Sequence, residues 1–173
     1  MAEVLVSETS KRYTGVGHGI DVLCKVFAVA GGVTLTAMAL MSIRSIVGRS
    51  FFDSPLLGDY ELVQMLSAAA IAMTLPYAHW IGAHVIVDFF TAKASVKTNA
   101  FLDLMANLFL ALFSAVITWR LLVGLLDLRN TMDASMMLNI PTWWAYIPMI
   151  PSFALLTAAA LYAANNELGK LRA

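Results

Sequence analysis

The stretch Phe101–Val123, FLDLMANLFLALFSAVITWRLLV, decides the fold. At 1.5 Å rise per residue, a helix of about 20 or more residues covers a hydrocarbon core of roughly 30 Å. Three other stretches have the same character: Val22–Ile43, Asp59–Trp80 and Trp143–Ala164, joined by short polar loops. The chain has 173 residues, of which 60% are hydrophobic and 13% charged, and its mean hydropathy is +0.78. Soluble domains lie nearer 45–50% apolar and about 25% charged. The sequence therefore predicts an all-α membrane protein. It is a single domain over residues 1–173, a small bundle of four transmembrane helices with no room for a separate soluble domain.

Net charge is zero, so no basic field invites nucleic acid. Cys24 is the only cysteine, which leaves no intrachain disulfide and no thiolate metal cluster, and it reads as a small buried apolar residue. The polar segment Met1–Asp21 lacks the apolar core of a signal peptide, so the first helix is expected to stay as an anchor. With a cytoplasmic N-terminus, the inside holds Lys11, Arg12, Lys25, Lys93, Lys97, Lys170 and Arg172. The outside holds Arg44, Arg49, Arg120 and Arg129. This bias places both termini inside.

Along the first helix, Ala28, Gly32 and Thr36 recur every four residues, a face of small residues that lets another helix come close; dimerisation is one reading, and packing within the bundle is the preferred one. The segment Arg44–Gly58 is too apolar for a solvated loop and too short to span. Phe51, Phe52, Leu56 and Leu57 alternate with Arg49 and Asp53, as in an arm lying in the membrane interface; an ordinary loop is the equal alternative. Asp59 reads as the N-cap of the second helix, with Glu61 in its first turn, where the helix dipole favours an anion. One face runs from Glu61 through Gln64, Ala68, Ala72, Leu75 and His79, and should meet protein rather than lipid. Pro76 should kink this helix. The third helix carries a polar stripe of Asp103, Asn107, Ala111, Ser114 and Thr118. Before the fourth, Thr142 reads as a cap, Trp143, Trp144 and Tyr146 as an interfacial aromatic belt, and Pro148 with Pro151 as an unwound or kinked first turn.

His79 and His84 invite a metal or haem, but five helical residues apart they point about 140° away from each other, and Gly82 should end the helix between them. The favoured reading is an imidazole at the membrane surface with Asp88 as partner. Glu61 lies at the start of its helix, not at mid-depth, and neither an inverted repeat nor paired broken helices surround it. No catalytic triad, phosphate loop or HExxH is present. No enzyme, cofactor or metal site is expected.

Three blocks carry a resemblance to a family: Gly48-Arg-Ser-Phe51 through Gly58-Asp-Tyr-Glu-Leu-Val63, Gly82-Ala-His-Val-Ile-Val-Asp88, and Ile140-Pro-Thr-Trp-Trp-Ala-Tyr146 with Pro148. In order and spacing they resemble the small membrane subunit of tripartite ATP-independent periplasmic (TRAP) transporters, the DctQ-type family. The acidic pair here is Asp59-Tyr-Glu61, where many relatives have Trp and adjacent glutamates. The resemblance implies a bacterial inner-membrane subunit, a scaffold that does not itself bind substrate. Its partners would be a large membrane subunit, a periplasmic substrate-binding protein and membrane lipids. The complex would import an organic anion, a carboxylate or sialic acid, on a sodium gradient. Arg49, Asp59, Glu61 and Gln64, with Trp143 and Trp144, are then the candidate structural and partner-facing residues, and His84 and Asp88 would fix the cytoplasmic turn. The alternatives are the small subunit of another three-part carboxylate transporter, a haem-bearing membrane anchor and a small homodimeric exporter with Glu61 as its coupling group.

Overall fold

A computed structural model describes residues 15–52, 54, 56–83 and 96–172. Four long helices dominate them: α1 (Val16–Phe52), α2 (Asp59–Trp80), α3 (Val96–Asn130) and α4 (Tyr146–Arg172), the last entered through a 3-10 turn at Thr142–Ala145. All four carry a segment long and apolar enough to cross a membrane. His84, Asp88 and Asp53 lie outside the described residues, as do Lys11, Arg12 and Lys93.

Among the described residues the helices form an open row rather than a closed bundle. α1 packs on α2, α2 on α4, and α4 on α3; α1 touches α4 lightly, and α1 and α3 have no substantial packing between them. The two middle helices therefore bury residues toward two neighbours, and small side chains make this feasible. α2 buries Ala69, Ala70, Ala72 and Pro76, and α4 buries Ser152, Leu155, Leu156, Ala159, Ala160 and Ala164. The outer helices bury only a narrow seam. In α1 it is Gly17, Cys24, Gly31 and Ser45, with half-buried Met38 completing a seven-residue repeat. In α3 the seam runs through Ala100, Asn107, Ala111, Ser114 and Thr118. A repeat of 3.5 residues keeps one stripe of a helix against a partner, as in coiled coils.

This seam corrects the reading of α1. Gly32 and Thr36 are exposed, and nothing lies within 4 Å of a Cβ placed at Gly32. Gly31, one residue away, is the point of close approach. A Cβ there would meet the Ala70 carbonyl oxygen at 3.0 Å, Thr74 Cγ2 at 3.0 Å and Met73 Cβ at 3.2 Å. The seven-residue repeat, not the four-residue one, picks the contact face.

The polar stripe of α3 does meet protein for most of its length. Thr157 Oγ1 of α4 donates to Ser114 Oγ (2.9 Å), which donates to the Leu110 carbonyl (2.7 Å). Ser114 donates within its own helix and accepts from the next, so the pair costs little in an apolar surrounding and still ties two helices together. Asp103 is exposed.

α1 differs from expectation at its far end as well. Residues 44–52 are not a separate arm but continue the helix without interruption. Asp21 of α1 sits level with Trp80, whose Nε1 donates to Asp21 Oδ1 (2.9 Å), and Ser45 sits level with Asp59. About 10 Å of α1 therefore projects past the start of α2, at 1.5 Å per residue. The chain then doubles back: the Ser54 amide donates to the Gly48 carbonyl (3.0 Å), and Gly48 leaves no room for a Cβ against Ser54.

Candidate functional site

The site predicted around Asp59 and Glu61 lies where three segments converge: the last turns of α1, the start of α2, and the loop between α3 and α4. Asp59 is the first helical residue of α2, not its cap. The cap position belongs to Gly58 (φ 74°), which makes no side-chain cap bond. Glycine is suited there because φ is left-handed and the Leu138 side chain covers the position a Cβ would take. Freed from capping, the Asp59 carboxylate turns to α1. Oδ2 accepts from Ser45 Oγ and lies 3.7 Å from Arg49 Nη2, while Oδ1 accepts from the Tyr60 amide (2.8 Å).

Glu61, two residues on, points to the other helix pair. Its carboxylate accepts from the Met137 amide (3.0 and 3.2 Å to the two oxygens) and the Leu138 amide (3.2 Å). Those amides are available because the loop is folded on itself. The Ser135 amide donates to the Ile140 carbonyl (2.9 Å), the Thr142 amide to the Asp133 carbonyl (3.1 Å), and Met132 and Asn139 adopt left-handed φ of 53° and 52°. Asp59 and Glu61 thus form a clasp. One carboxylate holds α1 and the other holds the α3–α4 loop, so both outer helices are tied to the same turn of α2.

Gln64 is exposed and stands beside this clasp. With Tyr60, Met65 and Ala68 it lines one wall of an open groove of about 580 Å³; Tyr146 and Met149 of α4 form the floor, and Leu121 with Asp133–Met136 the far wall. The groove exists because α2 and α3 do not pack on each other and α4 lies between them. The predicted α2 face is consequently split: Gln64 and Ala68 open to the groove, and Ala72 is buried.

Trp143 and Trp144 lie in the 3-10 turn that enters α4, with ring centroids 6.3 Å apart. The Arg129 guanidinium from the end of α3 stands 6.0 Å from the Trp143 ring, a cation–π contact that closes the loop at its base. Thr142 caps nothing through its side chain. At the opposite end of the molecule, Trp80 bonds Asp21 of α1 and packs against the Tyr162 ring of α4 in a tilted arrangement (centroids 5.4 Å apart). Gly82, at φ +67°, ends α2 with its amide on the His79 carbonyl (3.0 Å).

Sequence reading missed Ser45, the Met137 and Leu138 amides, and Trp80 with Asp21. Ser45 carries a signal in hindsight, since it continues the Gly17, Cys24, Gly31 repeat. Backbone donors carry none.

A search of curated proteins finds no match. The family described as "Tripartite ATP-independent periplasmic transporters, DctQ component" matches residues 38–168, from the middle of α1 to the last turns of α4. That range contains the clasp, the groove and both tryptophans of the α4 entry. With four helices able to span a membrane and a family match over most of its length, this chain belongs to the DctQ family, the small permease component of TRAP transporters.

Proposed function

We propose that the chain is a scaffold subunit of a TRAP transporter that imports an organic anion, a carboxylate or a sialic-acid-like sugar acid. A periplasmic binding protein would deliver the substrate, and a sodium gradient would drive it. The observation that carries this reading is the use of the polar groups. Asp59 and Glu61, which in a carrier would be candidate coupling groups, are taken up in holding α1 and the α3–α4 loop to α2. A carboxylate already bonded to backbone amides and a hydroxyl holds structure in place.

The open row supports the same role. α1 and α3 leave most of their apolar surface uncovered, Val29, Val33, Leu40, Ile43 and Ile46 on one and Phe109, Leu112, Phe113, Val116 and Trp119 on the other. A four-helix slab with two apolar flanks suits a static element beside a larger membrane subunit, with lipid against the remaining surface. Arg49, Gln64, Trp143 and Trp144 border the loop end, where, with both termini cytoplasmic, a periplasmic partner would meet them.

The test is affinity purification of the tagged chain from native membranes in mild detergent, with mass spectrometry of what accompanies it. A stoichiometric large polytopic partner is expected, and Glu61→Ala should lower its recovery. A chain that runs alone, or a Glu61→Ala variant with unchanged co-purification and uptake, would remove the scaffold role.

A further inference from the structure

Ten methionines are present in the chain, and three fall within the six residues from Met132 to Met137. Met132 is 87% exposed, Met136 99% and Met137 66%. The six other described methionines, Met38, Met41, Met65, Met73, Met105 and Met149, are all partly buried and sit in helices. Large apolar side chains this exposed contribute little to packing. The loop that carries them is held by its backbone instead, through the Met137 and Leu138 amides on Glu61 and the paired Ser135 and Ile140. The three methionine side chains face outward, while main-chain groups, with Leu138 over Gly58 and the Ser135 hydroxyl, do the fastening.

This division of labour has a chemical consequence. A thioether reacts with a two-electron oxygen donor such as hydrogen peroxide. The sulfur lone pair attacks one peroxide oxygen, the O–O bond breaks, sulfur is oxidised to sulfoxide, and the other oxygen leaves as water. Susceptibility follows access to the sulfur, and the product is polar and reducible by methionine sulfoxide reductases. In a core the change disrupts packing. At Met132, Met136 and Met137 it would not, because the clasp does not involve the sulfurs.

We propose that Met132, Met136 and Met137 form a selective methionine-oxidation site at the loop end, modified by hydrogen peroxide ahead of the helix-borne methionines and without opening the clasp. Met136 also lines the groove beside Gln64 and Asp133. Oxidation would therefore make the Met136 part of that rim polar, next to Gln64 and Asp133, while the four helices stay in place.

The experiment is a peroxide time course on the full chain purified in mild detergent, with peptide mass spectrometry at each methionine and tryptophan-fluorescence melting of each sample. Met136 and Met132 should gain 16 Da at least about tenfold faster than the six helix-borne methionines, since access governs the rate. Met137 should follow, and the melting midpoint should not move. A triple variant, Met132→Leu, Met136→Leu and Met137→Leu, should melt as the parent does and lose the fast phase. Equal rates at the helix-borne methionines would overturn the proposal. So would a melting midpoint that falls as the loop is oxidised, or a fast phase that survives in the triple variant.

Discussion

Replacing Gly31 by valine tests the packing of the row at its tightest point. A Cβ at Gly31 already meets three atoms at 3.0–3.2 Å, and two of them, the Ala70 carbonyl oxygen and Met73 Cβ, cannot swing aside. Valine adds two γ-carbons in a helix that permits essentially one rotamer. α1 and α2 must then move apart along the seam that also brings Ser45 to Asp59. Overpacking of this kind costs about 1–3 kcal/mol, and the upper half applies where the obstacles are backbone. The gain in helix propensity from glycine to valine is only a few tenths of a kcal/mol, so it does not compensate. An overall loss of ~2 kcal/mol corresponds to roughly a thirtyfold shift in the unfolding equilibrium. The assay is thermal or SDS-induced unfolding of the isolated full chain in detergent, followed by tryptophan fluorescence. Gly32→Val is the control, because no atom lies within 4 Å of its Cβ. It should leave the isolated chain unchanged or slightly more stable. If Gly32→Val destabilises as much as Gly31→Val, or if Gly31→Val has no effect, the assignment of the seven-residue seam is wrong.

Other substitutions probe the clasp and the ties between helices. In Glu61→Ala, the amides of Met137 and Leu138 lose their acceptor, so hydrogen exchange across 131–140 should speed up while α1 and α2 retain their protection; unchanged exchange would mean that the loop is held without Glu61. Gly58→Ala forces alanine into a left-handed φ of 74° against Leu138. The conformation alone costs about 1–2 kcal/mol, so the melting midpoint should fall, and a neutral result would remove the role of the Leu138 cover. A double-mutant cycle of Ser114→Ala and Thr157→Ala should give a coupling of about 0.6 kcal/mol, the usual size for a hydrogen bond between membrane helices; additive effects would show that the two hydroxyls act separately. Trp80→Phe keeps the ring beside Tyr162 and removes the bond to Asp21. It should cost about 1 kcal/mol in unfolding measurements, and Asp21→Asn, which keeps an acceptor, should cost less.

Much of this protein is legible in its amino-acid order. A run of apolar residues long enough to span a bilayer leaves the backbone one way to satisfy itself, so four helices follow from composition and length. The second helix occupies Asp59–Trp80, with its bounds as expected, because Gly58 and Gly82 punctuate it. The others are longer than hydropathy predicts. Residues 44–52 and 124–130 continue their helices, since Arg44, Arg49, Asp127 and Arg129 are compatible with a helix as well as being signs of a polar boundary. Hydropathy marks where apolar surface stops, and a helix need not stop there.

Sequence also groups Arg49, Asp59 and Glu61, through the family resemblance and the order of the segments. What it does not supply is the partner of each carboxylate. Asp59 and Glu61 are two residues apart, about 200° around a helix, so they face different neighbours. Which neighbours these are depends on the order of the row. That order is invisible in the pattern of any one helix, because every helix here is apolar on nearly all sides. Only tertiary packing sets α2 and α4 in the middle, chooses Gly31 over Gly32, and brings backbone amides 76 and 77 residues away onto Glu61. Composition and length determine the number of helices, since lipid leaves the backbone no alternative. Their neighbours are settled by close approach between small residues and by hydrogen bonds to main-chain groups, and main-chain groups are the same in every sequence.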